Sequence, residues 1–335
     1  MFEKGFTLIE LLAVIVVLAV IALIATPIVM NSISEARLES TRNSVYGILK
    51  SAEQAYAESI LEDETLERNT NIIDQIDFKG QEPDSGQVII TNDGHARAAL
   101  IFNDKCFLKI HDEVEIVEDL SECIVPEFVC GDTVYDERDN NTYQTVQIGE
   151  QCWFQENLRY VDNGCLDNEW SMEYPFDGCR INHSNIESDD NGEFLDWNQD
   201  EIIYQFDAAL DSCPINFDLP SDSEIMILET YLGMDPSELN QSTGWRDSGN
   251  VGLKLRDSYL WNGPSEYNFN AIPTGFRGAS TGENRLIGDY FGFWSKDDDG
   301  DTGWYRYIMG ENVGVRRATT AKRSGISVRC LYQNN

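Results

Sequence analysis

The pentapeptide Gly278–Gly282 has the G-x-S-x-G spacing of a hydrolase nucleophile, in which a serine on a sharp turn attacks a carbonyl carbon. In α/β-hydrolases the histidine that activates this serine comes later in the chain. The last histidine here is His183, so the order of residues excludes that chemistry and predicts a turn of small residues. His95 and His111 also stand alone, without the H-E-x-x-H spacing of a zinc site. We expect that the protein is not an enzyme.

Two acidic loops are candidates for calcium, because this cation prefers several oxygen ligands from a short segment. Residues 187–201 contain seven acids and no base, and the second loop has alternating aspartates ahead of Gly303. Neither is an EF-hand, since counting from the first of those aspartates puts Thr302 at position six and Ile308 at position twelve. The alternative is that both loops are simply solvated. The candidate ligands are Asp189, Asp190, Glu193, Asp297, Asp299 and Asp301.

A basic segment between Glu311 and Arg329 opposes the general charge of the chain. Such a segment can bind an anionic glycan or DNA. Its candidate ligand-binding residues are Arg316, Arg317, Lys322 and Arg323. We favour the alternative that these cations pair with the abundant carboxylates. The seven tryptophans likewise predict either buried core or a carbohydrate platform.

Composition limits the class of protein. The 335 residues include 59 acids and 24 bases, a formal charge of -35 that repels nucleic acid and anionic lipid. The apolar content of 41% is ordinary for a folded protein. An even number of cysteines, all beyond a hydrophobic N-terminus, predicts disulfides formed in an oxidising compartment. They are Cys106, Cys123, Cys130, Cys152, Cys165, Cys179, Cys213 and Cys330.

The apolar run from Phe6 to Met30 contains a single charge, Glu10. As a helix it spans roughly 37 Å, which is enough to cross a membrane. A cleaved secretory signal is the alternative, but no A-x-A site closes the run. A carboxylate inside a membrane helix costs about 3 kcal/mol unless it has a partner. The position of Glu10 therefore requires a functional reason.

The segment Lys4–Leu12 resembles the processing signature of type IV prepilins and type II secretion pseudopilins. The resemblance implies that a prepilin peptidase cleaves between Gly5 and Phe6 and that the new amino terminus is methylated. It further implies that Glu10 pairs with the amino terminus of a neighbouring subunit, so that copies of the chain assemble into a helical filament.

Pro27 predicts a kink or a locally unwound stretch, because proline removes one helical hydrogen bond. The resemblance implies that this residue assists packing in the filament, and the alternative is that it ends the membrane span. Apolar residues then recur at helical spacing from Ile33 to Ile60. We expect this stripe to pack on a sheet of strands at 87–90, 98–102 and 106–110. Cys106 and Cys123 flank the end of this region and are expected to pair.

From about residue 126 the chain is rich in aromatic residues and glycine. Several segments are similar to the Fibrobacter succinogenes major paralogous domain, namely Thr142–Gly149, Gln151–Leu158, Asn270–Arg277 and Ser327–Cys330. That family is related to C-type-lectin-like and formylglycine-generating-enzyme-like folds. The resemblance implies a Cys213–Cys330 disulfide, after which Cys130–Cys152 and Cys165–Cys179 are the simplest remaining pairs. The family's aromatic-His-Leu-Pro motif corresponds to Phe217–Pro220 here, where Asp218 replaces the histidine. No role of that histidine can therefore be transferred to this chain.

These features predict an α+β protein in which a long N-terminal helix packs on a small antiparallel sheet, followed by an α+β, C-type-lectin-like domain. The expected segments are a leader at 1–5, a transmembrane and assembly half-helix at 6–30, an amphipathic helix with a β-region at 31–125, and the second domain at 126–335.

The function expected is that of a type IV pilin subunit, held in the cytoplasmic or inner membrane as a prepilin and then built into an extracellular filament by the assembly machinery. Its C-terminal domain would be displayed for adhesion or for recognition of a ligand such as a surface glycan. The alternatives are a type II secretion pseudopilin and a membrane-tethered binding protein that does not polymerise.

Overall fold

The computed structural model describes residues 8–62, 66, 68–160, 179–180, 201–261, 263–264, 266–282 and 284–333. The chain forms two compact units, Met1–Val129 and Cys130–Asn335, so the boundary lies slightly beyond the predicted one. The architecture is α+β, as the sequence predicts, with one long N-terminal helix and several antiparallel sheets.

The first unit contains helix α1, Leu8–Leu61, whose 54 residues extend for about 81 Å. Its antiparallel sheet has the order β1-β2-β3-β4. The strands are β1 Ser85–Ile90, β2 Ala96–Phe102, β3 Lys105–Lys109 and β4 Val114–Val117. The hairpin between β2 and β3 turns at Asn103 and Asp104, which adopt φ of 49° and 59°. Asn and Asp tolerate this left-handed conformation better than most residues.

The C-terminal half of α1 packs on this sheet. Val45, Ile48, Leu49 and Ala52 recur at three- and four-residue spacing and are buried. They contact apolar side chains of β1, β2 and β3, including Val88, Ile90, Leu100 and Phe107. The predicted stripe is correct at its centre but too long, because Ile33 and Ile60 are exposed beyond the edges of the buried cluster.

The second unit is built from short strands and three short helices. The strands are β5 Thr133–Asp136, β6 Asn141–Ile148, β7 Gln151–Phe154, β8 Cys179–Arg180, β9 Ile202–Ile203, β10 Phe217–Asp218, β11 Phe276–Arg277, β12 Asn284–Arg285, β13 Tyr290–Asp298, β14 Thr302–Met309, β15 Arg316–Ala321 and β16 Leu331–Tyr332. The helices are α2 Phe206–Leu210, α3 Asp222–Tyr231 and α4 Val251–Leu255.

These strands form a five-stranded sheet of order β10-β16-β7-β6-β5, a three-stranded sheet β13-β14-β15, and the pairs β11-β12 and β8-β9. Helix α3 begins with a capping box, in which the Ser221 hydroxyl and the Glu224 carboxylate each bind the other residue's backbone N–H. Trp153 and Trp294 are fully buried, whereas Trp245 and Trp304 are half-buried. Trp153 and Trp294 therefore belong to the buried core, and a carbohydrate platform remains a prediction for the others.

Disulfides join Cys106 to Cys123, Cys130 to Cys152 and Cys213 to Cys330. These are the pairs expected from the sequence. The expected Cys165–Cys179 pair lies outside the described residues, which include only the backbone at position 179.

Candidate functional site

The N-terminal half of α1 is an apolar surface that the protein itself leaves uncovered. Its large apolar side chains from Leu8 to Met30 are each at least half exposed. Burial of the helix begins near Thr41 and Val45, where the sheet first meets it. By length and composition, this is the one helix in the described residues that could cross a membrane. Exposing so much apolar surface to water is unfavourable, so another apolar phase or another protein must cover it.

The predicted processing and assembly residues lie in or beside this surface. Gly5 and Phe6 are outside the described residues. Glu10 is the third residue of α1, and its side chain is also outside them. Pro27 lies inside the helix, which continues without interruption to Leu61. The helix is therefore not unwound at Pro27, and the kink that the missing backbone hydrogen bond would cause remains a prediction.

The basic segment predicted from the sequence lies on and after the three-stranded sheet, whose two faces differ. On one face, Arg306 of β14 and Arg317 of β15 are directly opposite each other. Asp222, the first residue of α3, binds both, with oxygen-to-nitrogen distances of 2.7 Å to Arg306 and 2.8 Å to Arg317. The Arg317 guanidinium also lies 3.7 Å from the centre of the Trp304 ring.

The same network continues into the core through Glu229. Its carboxylate binds Arg306 Nε at 2.7 Å and Arg246 at 2.5 Å, and all three side chains are almost completely buried. Such an arrangement needs each charge to be paired, because an unpaired buried charge is very costly. Arg306 and Arg317 are therefore parts of the scaffold of the second unit.

The pKa of Asp222 reflects this position. Burial by itself would raise the pKa, but the hydrogen bonds from Arg317 and the charge of Arg306 outweigh it and lower the pKa below the usual 3.8. Asp222 is therefore ionised at neutral pH, which is the state that the two arginines require.

Of the other predicted basic residues, Lys322 binds Asp298 at 3.2 Å. Arg317 and Lys322 thus follow the favoured interpretation, in which cations pair with nearby carboxylates. Arg323 is exposed at the end of the same segment. Arg329 is completely buried, with a pKa lowered to about 9 by burial, and it donates to the backbone carbonyl of Phe154 at 3.1 Å and the side chain of Asn157 at 2.8 Å.

Arg316 lies on the opposite face of the sheet, among aromatic rings. It is opposite Tyr307, and Tyr305 is the next residue of β14 on that face. The Tyr305 and Tyr307 rings stack at 5.6 Å, and Trp245 meets Tyr307 edge-on at 5.6 Å. We call Trp245, Tyr305, Tyr307 and Arg316 the aromatic face. All four are half-buried, so each is partly accessible to solvent.

Sequence reasoning found Arg316 but not the three rings. Tyr305 and Tyr307 alternate within β14, and this period of two is a signal that they share one face of a strand. Trp245 has no such signal, because it reaches this face through a backbone bridge between Arg246 and Val315, far apart in sequence.

Aspartates of the second acidic loop are bonded to backbone groups. Asp297 and Asp299 accept hydrogen bonds from the backbone of Asp222 and of Thr302 respectively, on the hairpin between β13 and β14. Within the described ranges, no three His, Cys, Asp or Glu side chains are grouped to hold a metal. Asp189, Asp190 and Glu193 lie outside those ranges.

The segment Gly278–Gly282 forms a turn between β11 and β12, as predicted. The backbone N–H of Gly282 donates to the carbonyl of Gly278 at 2.9 Å, and Arg277 Nε donates to the carbonyl of Gly282 at 2.7 Å. No helix follows the serine, so the geometry of a nucleophile elbow is missing from this described segment.

Two family models match the chain. One, described as the Fibrobacter succinogenes major domain, matches residues 146–332, which is more than half of the chain. The other, described as a prokaryotic N-terminal methylation motif, matches residues 1–26. Neither the curated proteins nor the solved structures include a match.

Proposed function

This chain belongs to the Fibrobacter succinogenes major domain family and has the N-terminus of a type IV pilin-like precursor, and on this premise we propose that it is a subunit of a surface filament. A prepilin peptidase cleaves it after Gly5, and the processed helices assemble side by side. The second unit is then displayed on the filament for adhesion or recognition of a ligand.

The observation that carries this proposal is the uncovered apolar half of α1. A membrane covers it in the precursor, and the same half of neighbouring copies covers it in the filament. Glu10 is the one charge in this run, and pairing with the amino terminus of a neighbouring Phe6 would neutralise it. A simple membrane anchor gains nothing from a carboxylate at this depth.

We further propose that the second unit binds rather than catalyses. In support, Ser280 lies in a turn whose backbone is bound by Arg277 instead of beside a histidine. The C-type-lectin-like relationship implied by the sequence remains a prediction, and it is compatible with a binding role.

Mass spectrometry of the mature protein tests the processing step. We expect an amino-terminal Phe6 that bears one methyl group. A chain that starts at Met1, or one cleaved after the apolar run, would contradict the proposal.

The Glu10→Ala variant tests assembly. We expect this variant to be processed and inserted into the membrane but to form few or no filaments in electron microscopy of sheared cells. Glu35→Ala is the matched control, since it removes a carboxylate from an exposed position on the same helix. Normal filaments from Glu10→Ala would indicate a tethered protein that does not polymerise. Absence of the wild-type chain from sheared filaments, with secretion of other proteins impaired, would indicate a pseudopilin.

A further inference from the structure

The aromatic face has an arginine whose charge is not matched by a carboxylate. Its neighbours Arg306 and Arg317 are both held by Asp222. Arg316 forms no hydrogen bond or ion pair with any residue in the described part of the chain, and its Nε is buried without a partner. Its guanidinium lies near the Trp245 and Tyr307 rings, at 5.8 Å and 5.7 Å from their centres.

This arrangement is costly unless something else contacts the guanidinium. A half-buried charge has lost part of its hydration, and aromatic rings replace only a fraction of what a carboxylate would provide. In a chain with 59 acids, an arginine at this position could readily have acquired an acidic partner, as Arg317 has. The buried Nε is closed to a ligand, whereas the two terminal nitrogens of Arg316, which bind no residue in the described part of the chain, are available to one.

The rings on this face are covered at the two ends but open in the middle. At one end, Phe206 of α2 packs edge-on against Trp294 at 5.4 Å. At the other end, Phe276 of β11 packs on Tyr290 at 5.1 Å. Tyr305 and Tyr307 lie between them and are only half-buried. The open part is a short platform of ring surface with one cation at its edge.

We propose that the aromatic face binds a uronic acid residue of a glycan. The sugar ring packs against the exposed parts of the Tyr307 and Trp245 rings, which meet edge-on. Its carboxylate accepts paired hydrogen bonds from the Arg316 guanidinium, a geometry that arginine provides and lysine does not. The hydroxyl of Tyr307 can donate a hydrogen bond to a sugar hydroxyl or accept one from it. This inference rests on the proposed function, in which the second unit is displayed on the filament, and it names the class of ligand that the unit binds.

Electrostatics distinguish this ligand from other anions. A net charge of -35 disfavours long polyanions such as nucleic acid, whereas a short oligouronide has only a few charges. A single arginine suits a single carboxylate. The flat ring surface beside it suits a sugar, whose apolar C–H groups and polar hydroxyls both need contacts.

Titration calorimetry on the detergent-solubilised full-length chain tests the proposal, with trigalacturonate as the probe. Its methyl ester is the matched ligand control, because it keeps the sugar rings and removes the charges. Arg316→Gln is the test variant. Arg323→Gln is its control, since it removes the same charge from an exposed position in the same segment.

We expect trigalacturonate to bind, and both the methyl ester and Arg316→Gln to weaken binding by roughly tenfold or more, as loss of a charge-assisted hydrogen bond does. Arg316→Lys should restore less than half of the lost affinity, and Arg323→Gln should bind within about twofold of wild type. Equal binding of the free acid and its ester, equal binding by Arg316→Gln, or no binding at millimolar trigalacturonate would overturn the proposal.

Circular dichroism and thermal unfolding of each variant show whether it is folded. Since Arg316 has no polar partner among the described residues, Arg316→Gln is expected to fold normally. If it does not, Tyr307→Leu gives a second test of the same face, with the same expected loss. Filaments that assemble normally but fail to bind trigalacturonate would reject the uronate site and leave the filament proposal intact.

Discussion

Asp222 connects three elements of the second unit through one carboxylate. It is the first residue of α3 and holds Arg306 on β14 and Arg317 on β15. Since those two arginines are directly opposite each other, their charges would repel without an acid between them. Asp222 thereby attaches the helix to the sheet that has the aromatic face on its other side.

Replacing Asp222 with Asn should therefore destabilise the second unit by about 3 kcal/mol at pH 7, because both arginines would lose their anionic partner. Ionisation lowers the free energy of the folded state here, since the pKa of Asp222 is below 3.8 when folded. This contribution is fully present above pH 3.8 and is lost as pH falls through the folded pKa. The wild type and Asp222→Asn should thus converge in stability in strong acid.

Urea unfolding followed by tryptophan fluorescence at several pH values measures this effect. All seven tryptophans lie between Trp153 and Trp304, so the signal comes from the second unit alone. Glu311→Gln removes an exposed acid from the same region and should change the free energy of unfolding by less than about 0.5 kcal/mol at every pH. A constant difference between wild type and Asp222→Asn down to pH 2 would contradict the assignment.

For single residues, the sequence predicts the type of partner but not which residue that partner is. The excess of acids makes it reasonable that Arg317 and Lys322 are paired, and they are. The partner of Arg317 is 95 positions away, at Asp222, and only the fold brings the two together. The fold also determines that Arg316 has no polar partner among the described residues, because it lies on the face of β15 opposite to Asp222.

At the scale of elements, helix α1 has two halves with different environments. The first half exposes its apolar side chains, and the second half buries Val45, Ile48 and Ala52 on the sheet of its own unit. The two halves are one continuous helix, so the part that folds with the sheet fixes the direction in which the exposed part leaves it.

Removing residues 1–28 should therefore give a protein that is monomeric without detergent and keeps its folded first unit. Among the described residues, the deletion removes large apolar side chains of α1 that are exposed, and the buried residues of α1 begin only at Thr41. Size-exclusion chromatography and circular dichroism would check this outcome. Aggregation of the truncated chain, or loss of more helical signal than the deleted residues account for, would contradict it.

The sequence predicts some of these elements correctly and misses others. A long apolar run followed by residues at helical spacing predicts one long helix, and the strands expected at 98–102 and 106–110 correspond to β2 and β3. The strand Val114–Val117 was missed because it is short and contains a charged residue, so that only pairing with β3 identifies it. Of the two effects predicted for Pro27, unwinding is not found, because α1 continues through it.

At the scale of the whole molecule, each of the two compact units contains at least one disulfide, and the described disulfides close loops of very different length. In the second unit, Cys130–Cys152 closes a loop with a separation of 22 residues, whereas Cys213–Cys330 closes one of 117. Cys330 is buried just before β16, which lies between β10 and β7. The longer disulfide therefore attaches the last strand of the chain to the middle of the unit.

A disulfide restricts the unfolded chain more when it closes a longer loop. By this chain-entropy argument, Cys213→Ala with Cys330→Ala should lower the free energy of unfolding by about 5 kcal/mol, and Cys130→Ala with Cys152→Ala by about 3 kcal/mol. Urea unfolding without reductant, followed by tryptophan fluorescence, measures both. The double variant Cys106→Ala with Cys123→Ala is the control, because its disulfide lies in the first unit and should leave this transition unchanged. Equal losses from the two disulfides of the second unit would mean that packing around the sulfurs, rather than the length of the closed loop, determines what each contributes to stability.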